Sequence, residues 1–254
     1  MDLPLVYHIN ESETCEIHQC FKWSLNDDVP LQDERNRTFC PECQREKMAR
    51  EEEQKIGQAH TATILRKTYD VLDKNSIVPS GLKEANFKNF MVTNQIDREA
   101  KNYALRLVSH YLHGGKGNAL IMGKAGRGKS HLAMAVASKL NADWKANKLP
   151  KSILFVNLPA LFIKIQNSFN RKEGMTSNEW LELLKKVDYL ILDDLGRSDN
   201  AQWKQDFLYS LLDEREATII TTNLVGSEMK SLFETGLVSR ITKGGRDLYF
   251  KYPD

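Results

Sequence analysis

The chain has 254 residues, 36 Lys and Arg against 34 Asp and Glu, and a formal net charge of +2. At 41% hydrophobic and 28% charged it is too apolar for wholesale disorder. No run approaches the roughly 18 consecutive apolar residues of a membrane span, so a cytoplasmic protein of one or two domains with no membrane partner is expected.

The small total conceals a polarised chain. Residues 1–43 carry nine acids and three bases, whereas residues 76–254 carry 19 acids and 26 bases. An acidic head on a basic body makes the body the better candidate for phosphate or nucleic-acid contact.

All four cysteines, Cys15, Cys20, Cys40 and Cys43, lie in the head. Cys40-Pro41-Glu42-Cys43 is a CxxC turn, and Cys15-Glu16-Ile17-His18 repeats the two-residue spacing with an imidazole in place of a thiolate. Zinc takes four such ligands in a tetrahedron, so Cys15, His18, Cys40 and Cys43 form the expected Zn²⁺ site, with Cys20 the alternative to His18. Disulfides belong to secreted chains and are the weaker alternative. Four protein ligands leave no open position for water, so the metal is structural and stabilises a head of residues 1–45 too small to fold on apolar burial alone.

Residues 44–55 favour helix and pair charges at i,i+4, as in Glu46 with Arg50 and Glu51 with Lys55, but carry almost no apolar face. A helical linker over residues 46–79 follows, passing a more amphipathic stretch around Ile64, Leu65 and Leu72. The Pro79-Ser80-Gly81 turn opens the second domain, residues 80–254.

Gly123-Lys124-Ala125-Gly126-Arg127-Gly128-Lys129-Ser130 matches the phosphate-binding pattern G-x-x-x-x-G-K-[ST], with a short apolar run before it and helical spacing of Leu132, Val136 and Leu140 after it. The expected nucleotide-binding residues are these eight together with His131. Lys129 reaches the β and γ phosphates of ATP and Ser130 holds Mg²⁺. A second strand, Tyr189 to Leu192, runs into Asp193-Asp194. Asp193 is expected to bind Mg²⁺ through water and Asp194 to orient or deprotonate the attacking water. Asp194 is one methylene shorter than the Glu that many ATPases of this kind place there, and slow hydrolysis follows.

Strand-like runs at Asn118–Met122, Ser152–Asn157, Asp188–Leu192, Thr218–Thr222 and Asp247–Lys251 alternate with helical ones, which predicts a five-stranded parallel α/β sheet flanked by helices. The fourth ends at Thr221-Thr222-Asn223, placing the Asn223 amide at a carboxyl end of the sheet, where it would sense the γ-phosphate.

With GKAGRGKS, YLILDDLG, REATIITTN (Arg215 to Asn223) and Leu237-Val238-Ser239-Arg240 in place, residues 80–254 resemble the AAA+ ATPases of the initiator and helicase-loader group, which includes DnaC, DnaI and the transposition helper IstB. The resemblance implies that Arg240 is an arginine finger reaching the ATP of a neighbouring subunit. It also implies a helical insertion that touches single-stranded DNA, here Pro159–Phe169 and Ser177–Lys186, with Lys164, Arg171 and Lys172 near Phe162 and Phe169. The family's sensor Arg after the last strand has no counterpart in Phe250 to Asp254, so little or no C-terminal lid and weak, partner-dependent ATPase activity are expected. The implied function is loading of a hexameric replicative DNA helicase onto single-stranded DNA by a homo-oligomeric ring. The alternatives are an IstB-like transposition helper and an ATP-binding recruitment adaptor with little turnover.

Overall fold

The computed structural model describes residues 7–25, 38–52, 67–171, 174–196 and 201–253. The chain divides into two compact units, Met1–Thr63 and Ile64–Asp254.

In the smaller unit, β1 (Tyr7–Thr14), β2 (Phe21–Leu25) and β3 (Thr38–Phe39) form an antiparallel sheet in that order. The register of β1 against β2 shifts between Asn10 and Thr14, just before the first cysteine. Helix α1, residues 41–52, begins at the second cysteine turn. Nearly all of β1 is exposed, and the buried apolar residues described in this unit are Cys15, Leu25 and Cys40. So sparse a core places the burden of stability on the cysteine cluster.

The larger unit is a parallel sheet of five strands in the order β5-β6-β7-β4-β8, with β4 Gly117–Met122, β5 Ile153–Asn157, β6 Tyr189–Leu195, β7 Ala217–Thr222 and β8 Tyr249–Lys251. All five expected strands are present. The inner strands β4 and β7 are buried along nearly their whole length, so both of their faces are covered. Ala119, Ile121 and Phe155 face α3 (Gln95–Leu112) and α4 (Lys129–Ala146) on one side. Leu120, Met122, Leu154 and Val156 face α5 (Leu158–Arg171), α6 (Ser177–Lys186), α7 (Gln202–Glu214), α8 (Gly226–Leu232) and α9 (Thr235–Ile241) on the other. No described helix is long and apolar enough to cross a membrane.

Three expectations are corrected. The linker does not run to residue 79: α2 (Asp70–Asn75) buries Val71 and Leu72, the Tyr69 hydroxyl donates to Leu149 O at 2.9 Å, and Ile77 forms a parallel bridge with Val156. Residues 67–79 thus belong to the larger unit, because their apolar side chains cover the open β5 edge. Strand β6 continues past Leu192 to Leu195, with Asp194 at φ +63° and a register shift against β7. Phe162 is 1% exposed and packs edge-to-face on Trp203 and Phe207, so it is a core residue with no face for a base. The Glu46–Arg50 pair forms at 3.3 Å. Lys55, Ile64, Leu65 and Lys172 lie outside the described residues, as do the side chains of Phe169 and Arg171.

Candidate functional site

Strands β4, β6 and β7 are adjacent, so their carboxyl ends deliver the glycine loop, the carboxylate pair and Asn223 to one place. The loop leaves β4 at Gly123 and enters α4 at Lys129. Gly128 has φ +77°, and a Cβ there would stand 2.8 Å from the Phe90 ring. A Cβ on Gly123 would meet Tyr252 Cβ at 2.6 Å. These two positions thus accept only glycine, for backbone conformation and for space.

Lys129 is 7% exposed. Its Nζ donates to Lys124 O at 2.9 Å and to Asn223 Oδ1 at 2.7 Å, and Asn223 Nδ2 donates to Asp194 Oδ1 at 3.2 Å. Burial lowers the Lys129 pKa, opposed by the Asp194 and Asp193 carboxylates. Asp193 is 1% exposed and receives Thr221 Oγ1–H at 2.8 Å and Asn157 Nδ2–H at 3.1 Å, one on each oxygen. Thr221 Oγ1 also accepts the Asp194 backbone N–H at 2.9 Å. A fixed, buried carboxylate with unshared lone pairs, next to a buried ammonium, suits a Mg²⁺-bound phosphate chain.

Ser130 is half-buried in the first turn of α4, while Lys124, Ala125, Gly126 and Arg127 are exposed. His131 faces away from the Asp193 cluster: its Nε2 lies 3.0 Å from Asn86 O and its ring stacks edge-on against Phe90. With Phe90, Met91, Thr93, Asp97 and Arg127 it lines a cavity of about 400 Å³ beside the loop. Arg240 is held on α7 by Asp213 and Tyr209 rather than by any group of this cluster.

In the smaller unit one ligand atom each from Cys15, His18, Cys40 and Cys43 lies within 4.8 Å of the others. The Cys15–Cys43 sulfur separation is 3.7 Å, and His18 Nδ1 stands 3.8, 3.7 and 3.4 Å from the sulfurs of Cys15, Cys40 and Cys43. A tetrahedron with Zn–S of about 2.3 Å has edges of roughly 3.8 Å, so the donors fit the ion. The Cys20 sulfur stands 3.5 Å from that of Cys40 but does not belong to the four clustered ligand atoms. His18 Nε2 meets Glu46 Oε1 on α1 at 3.1 Å, the outer carboxylate that orients many metal-bound imidazoles. The His18 backbone N–H and ring pull Cys15 down to about 6, and Cys15 then Glu46 raise His18 to about 9. The Cys15 sulfur, followed by burial, pushes Cys43 up to about 12. Such crowding of negative charge is relieved by a dication.

The model of the IstB-like ATP-binding protein family matches residues 47–241. The chain belongs to this family. The IstB-like match includes the glycine loop, Asp193, Asn223 and Arg240, and begins after the cysteine–histidine cluster. Among curated relatives, an Escherichia coli K12 protein called YdaV is 28% identical over 187 residues, covering 72% of this chain and 71% of its own. The replicative helicase loader DnaC of Buchnera aphidicola (subspecies Baizongia pistaciae) is 24% identical over 182 residues, covering 68% and 70%. The crystal structure of DnaI superposes with a TM-score of 0.53 at 25% identity, covering 69% of this chain and 94% of that one. The fold is thus that of an α/β AAA+ ATP-binding domain.

No motif marks Asn157, Thr221, Phe90 or Tyr252 as site residues. A polar residue at the end of an apolar strand marks Asn157 and Thr221 in retrospect. Nothing local marks Phe90 or Tyr252, which reach the loop by tertiary packing.

Proposed function

We propose that the protein is an ATP-dependent loader of the replicative DNA helicase, acting on single-stranded DNA during replication initiation. The observation that carries this is the interlocked Lys129–Asn223–Asp194 chain beside buried Asp193, in a chain similar over 68% of its length to a protein named replicative helicase loader.

Lys124 to Ser130 would hold the ATP phosphates, with Ser130 and Asp193 holding Mg²⁺, which when bound neutralises charge developing on the phosphates. Lys129 would exchange the Lys124 carbonyl for phosphate oxygens. Asn223 would report that exchange to Asp194, which orients the attacking water. Arg240 would act on the nucleotide of a neighbouring copy in a ring or spiral, so turnover is weak until copies assemble on helicase or DNA. Cys15, His18, Cys40 and Cys43 would hold structural Zn²⁺ and shape the acidic head that grips the hexameric helicase. Exposed Lys164 on α5 supports a DNA-facing surface there. Nucleotide state times release if the ATP and ADP forms differ in affinity for helicase or DNA.

A second reading, an IstB-like transposition helper, is favoured by the family match itself, but leaves the cysteine–histidine head unexplained. The test is unwinding by the cognate helicase on a DNA circle coated with single-strand-binding protein. Unwinding that needs this protein and ATP, and is lost with Lys129→Ala, is expected. Stimulation of a transposase with no effect on the helicase would overturn the proposal.

A further inference from the structure

Arg240 is held at three points. Its Nε donates to Asp213 Oδ1 at 2.6 Å, its Nη2 to the Tyr209 hydroxyl at 3.2 Å, and its guanidinium carbon stands 5.1 Å from the Tyr209 ring centroid. Both partners sit on α7 four residues apart and therefore share one face of that helix. Among the described residues Nη1 has no hydrogen-bond partner, and the side chain keeps 32% exposure.

The contact between α7 and α9 sets this arrangement. Gln205 Oε1 accepts the Glu234 N–H at 2.9 Å at the start of α9, and Leu237 and Ile241 share a core with Leu208, Leu211 and Leu212. A Cβ on Gly236 would come within 3.2 Å of the Tyr209 ring, so the α9 backbone abuts the ring on which the guanidinium rests. The Nε–Nη2 edge and one face of the guanidinium are thus occupied, and Nη1 is left over.

An isolated exposed ion pair does little for stability, so Asp213 gains small benefit from Arg240 as a mere surface partner. A long, flexible arginine that must act on phosphate charge in another molecule works only if it is already in place when the charge develops. We infer that Asp213 and Tyr209 are positioning residues that fix Arg240 so that its Nη1 side meets the nucleotide of a second copy of this chain. The inference rests on Arg240 being the intersubunit finger. Asp213 sets the direction of the guanidinium and the Tyr209 ring sets its plane.

Complementation between full-length variants tests both. Arg240→Ala protein keeps its nucleotide site but lacks the finger, and Lys129→Ala protein keeps the finger but lacks the nucleotide. Each alone is expected to be nearly inactive, and the mixture to regain phosphate release. A Lys129→Ala partner that also carries Asp213→Ala should regain about ten- to a hundred-fold less. Tyr209→Ala should act in the same direction and Tyr209→Phe more mildly, since it keeps the ring. Asp213→Ala alone should lower kcat with little change in KM for ATP or in melting temperature, a split that a folding role would not produce. Should Asp213→Ala fold poorly, Tyr209→Phe and Asp213→Asn carry the same comparison. Full recovery with the Asp213 and Tyr209 variants would overturn the inference while leaving the finger intact. No recovery in the simple mixture would overturn the finger itself.

Discussion

Asn157 serves two elements at once. Its Oδ1 accepts the Ala160 N–H at 3.2 Å, capping α5, while its Nδ2 fixes Asp193. Two substitutions separate these roles. Asn157→Ala loses both, and losing the cap costs about 1 kcal/mol, or roughly 2–4 °C in melting temperature for a unit of this size. Asn157→Asp keeps a capping acceptor but sets a second carboxylate against buried Asp193, so at neutral pH it is expected to melt below wild type through like-charge repulsion rather than a lost cap, and Mg²⁺-dependent nucleotide binding weakens. Calorimetric titration of ATP with and without Mg²⁺ distinguishes them. Lys129→Ala is expected to weaken ATP binding by at least about 1.5–3 kcal/mol, ten-fold to over a hundred-fold, because a charge-assisted contact to phosphate is removed. Asn223→Ala should spare binding and lower turnover, since it breaks the link to Asp194 and not the loop.

The elements of the sheet were legible because each inner strand carries a short apolar run, Ala119–Met122, Leu190–Leu192 or Ile219–Ile220, and the helical reading of Ser177–Lys186 matches the observed bounds of α6. The glycine loop, Asp193 and Asn223 were legible for a related reason: small and polar residues follow closely on those runs. Other parts were not. In β1 almost every side chain is exposed, so no alternation of apolar and polar residues marks it as a strand. Residues 67–79 read as linker because their few apolar side chains acquire meaning only against the β5 edge. The chain portion of the cysteine site was readable from spacing, whereas Glu46 was not, since it reaches His18 from α1 across 28 positions. At this scale the zinc assignment makes two predictions. Chelation is expected to abolish the structure of the smaller unit while leaving the melting of the larger one unchanged, followed by circular dichroism and calorimetry on the full chain. Glu46→Ala should weaken zinc binding by about ten- to a hundred-fold, measured by competition with a chromogenic chelator.

Over the whole molecule, the net charge of +2 is a cancellation between an acidic head and a basic ATP-binding body. A small unit with few buried side chains would suit a protein partner, and a sheet whose inner strands are buried would suit holding a nucleotide site rigid. Under the proposed function, gripping helicase and switching with ATP would reside in separate units and could be removed separately. Lys129→Ala should leave helicase capture in place, whereas zinc removal should leave ATP binding in place. The central claim is tested most directly by size-exclusion chromatography of the full chain with its cognate hexameric replicative helicase, with and without zinc chelation. A discrete complex of the two that is lost on chelation is the expected result; separate elution of the two proteins in the presence of zinc and ATP would contradict it.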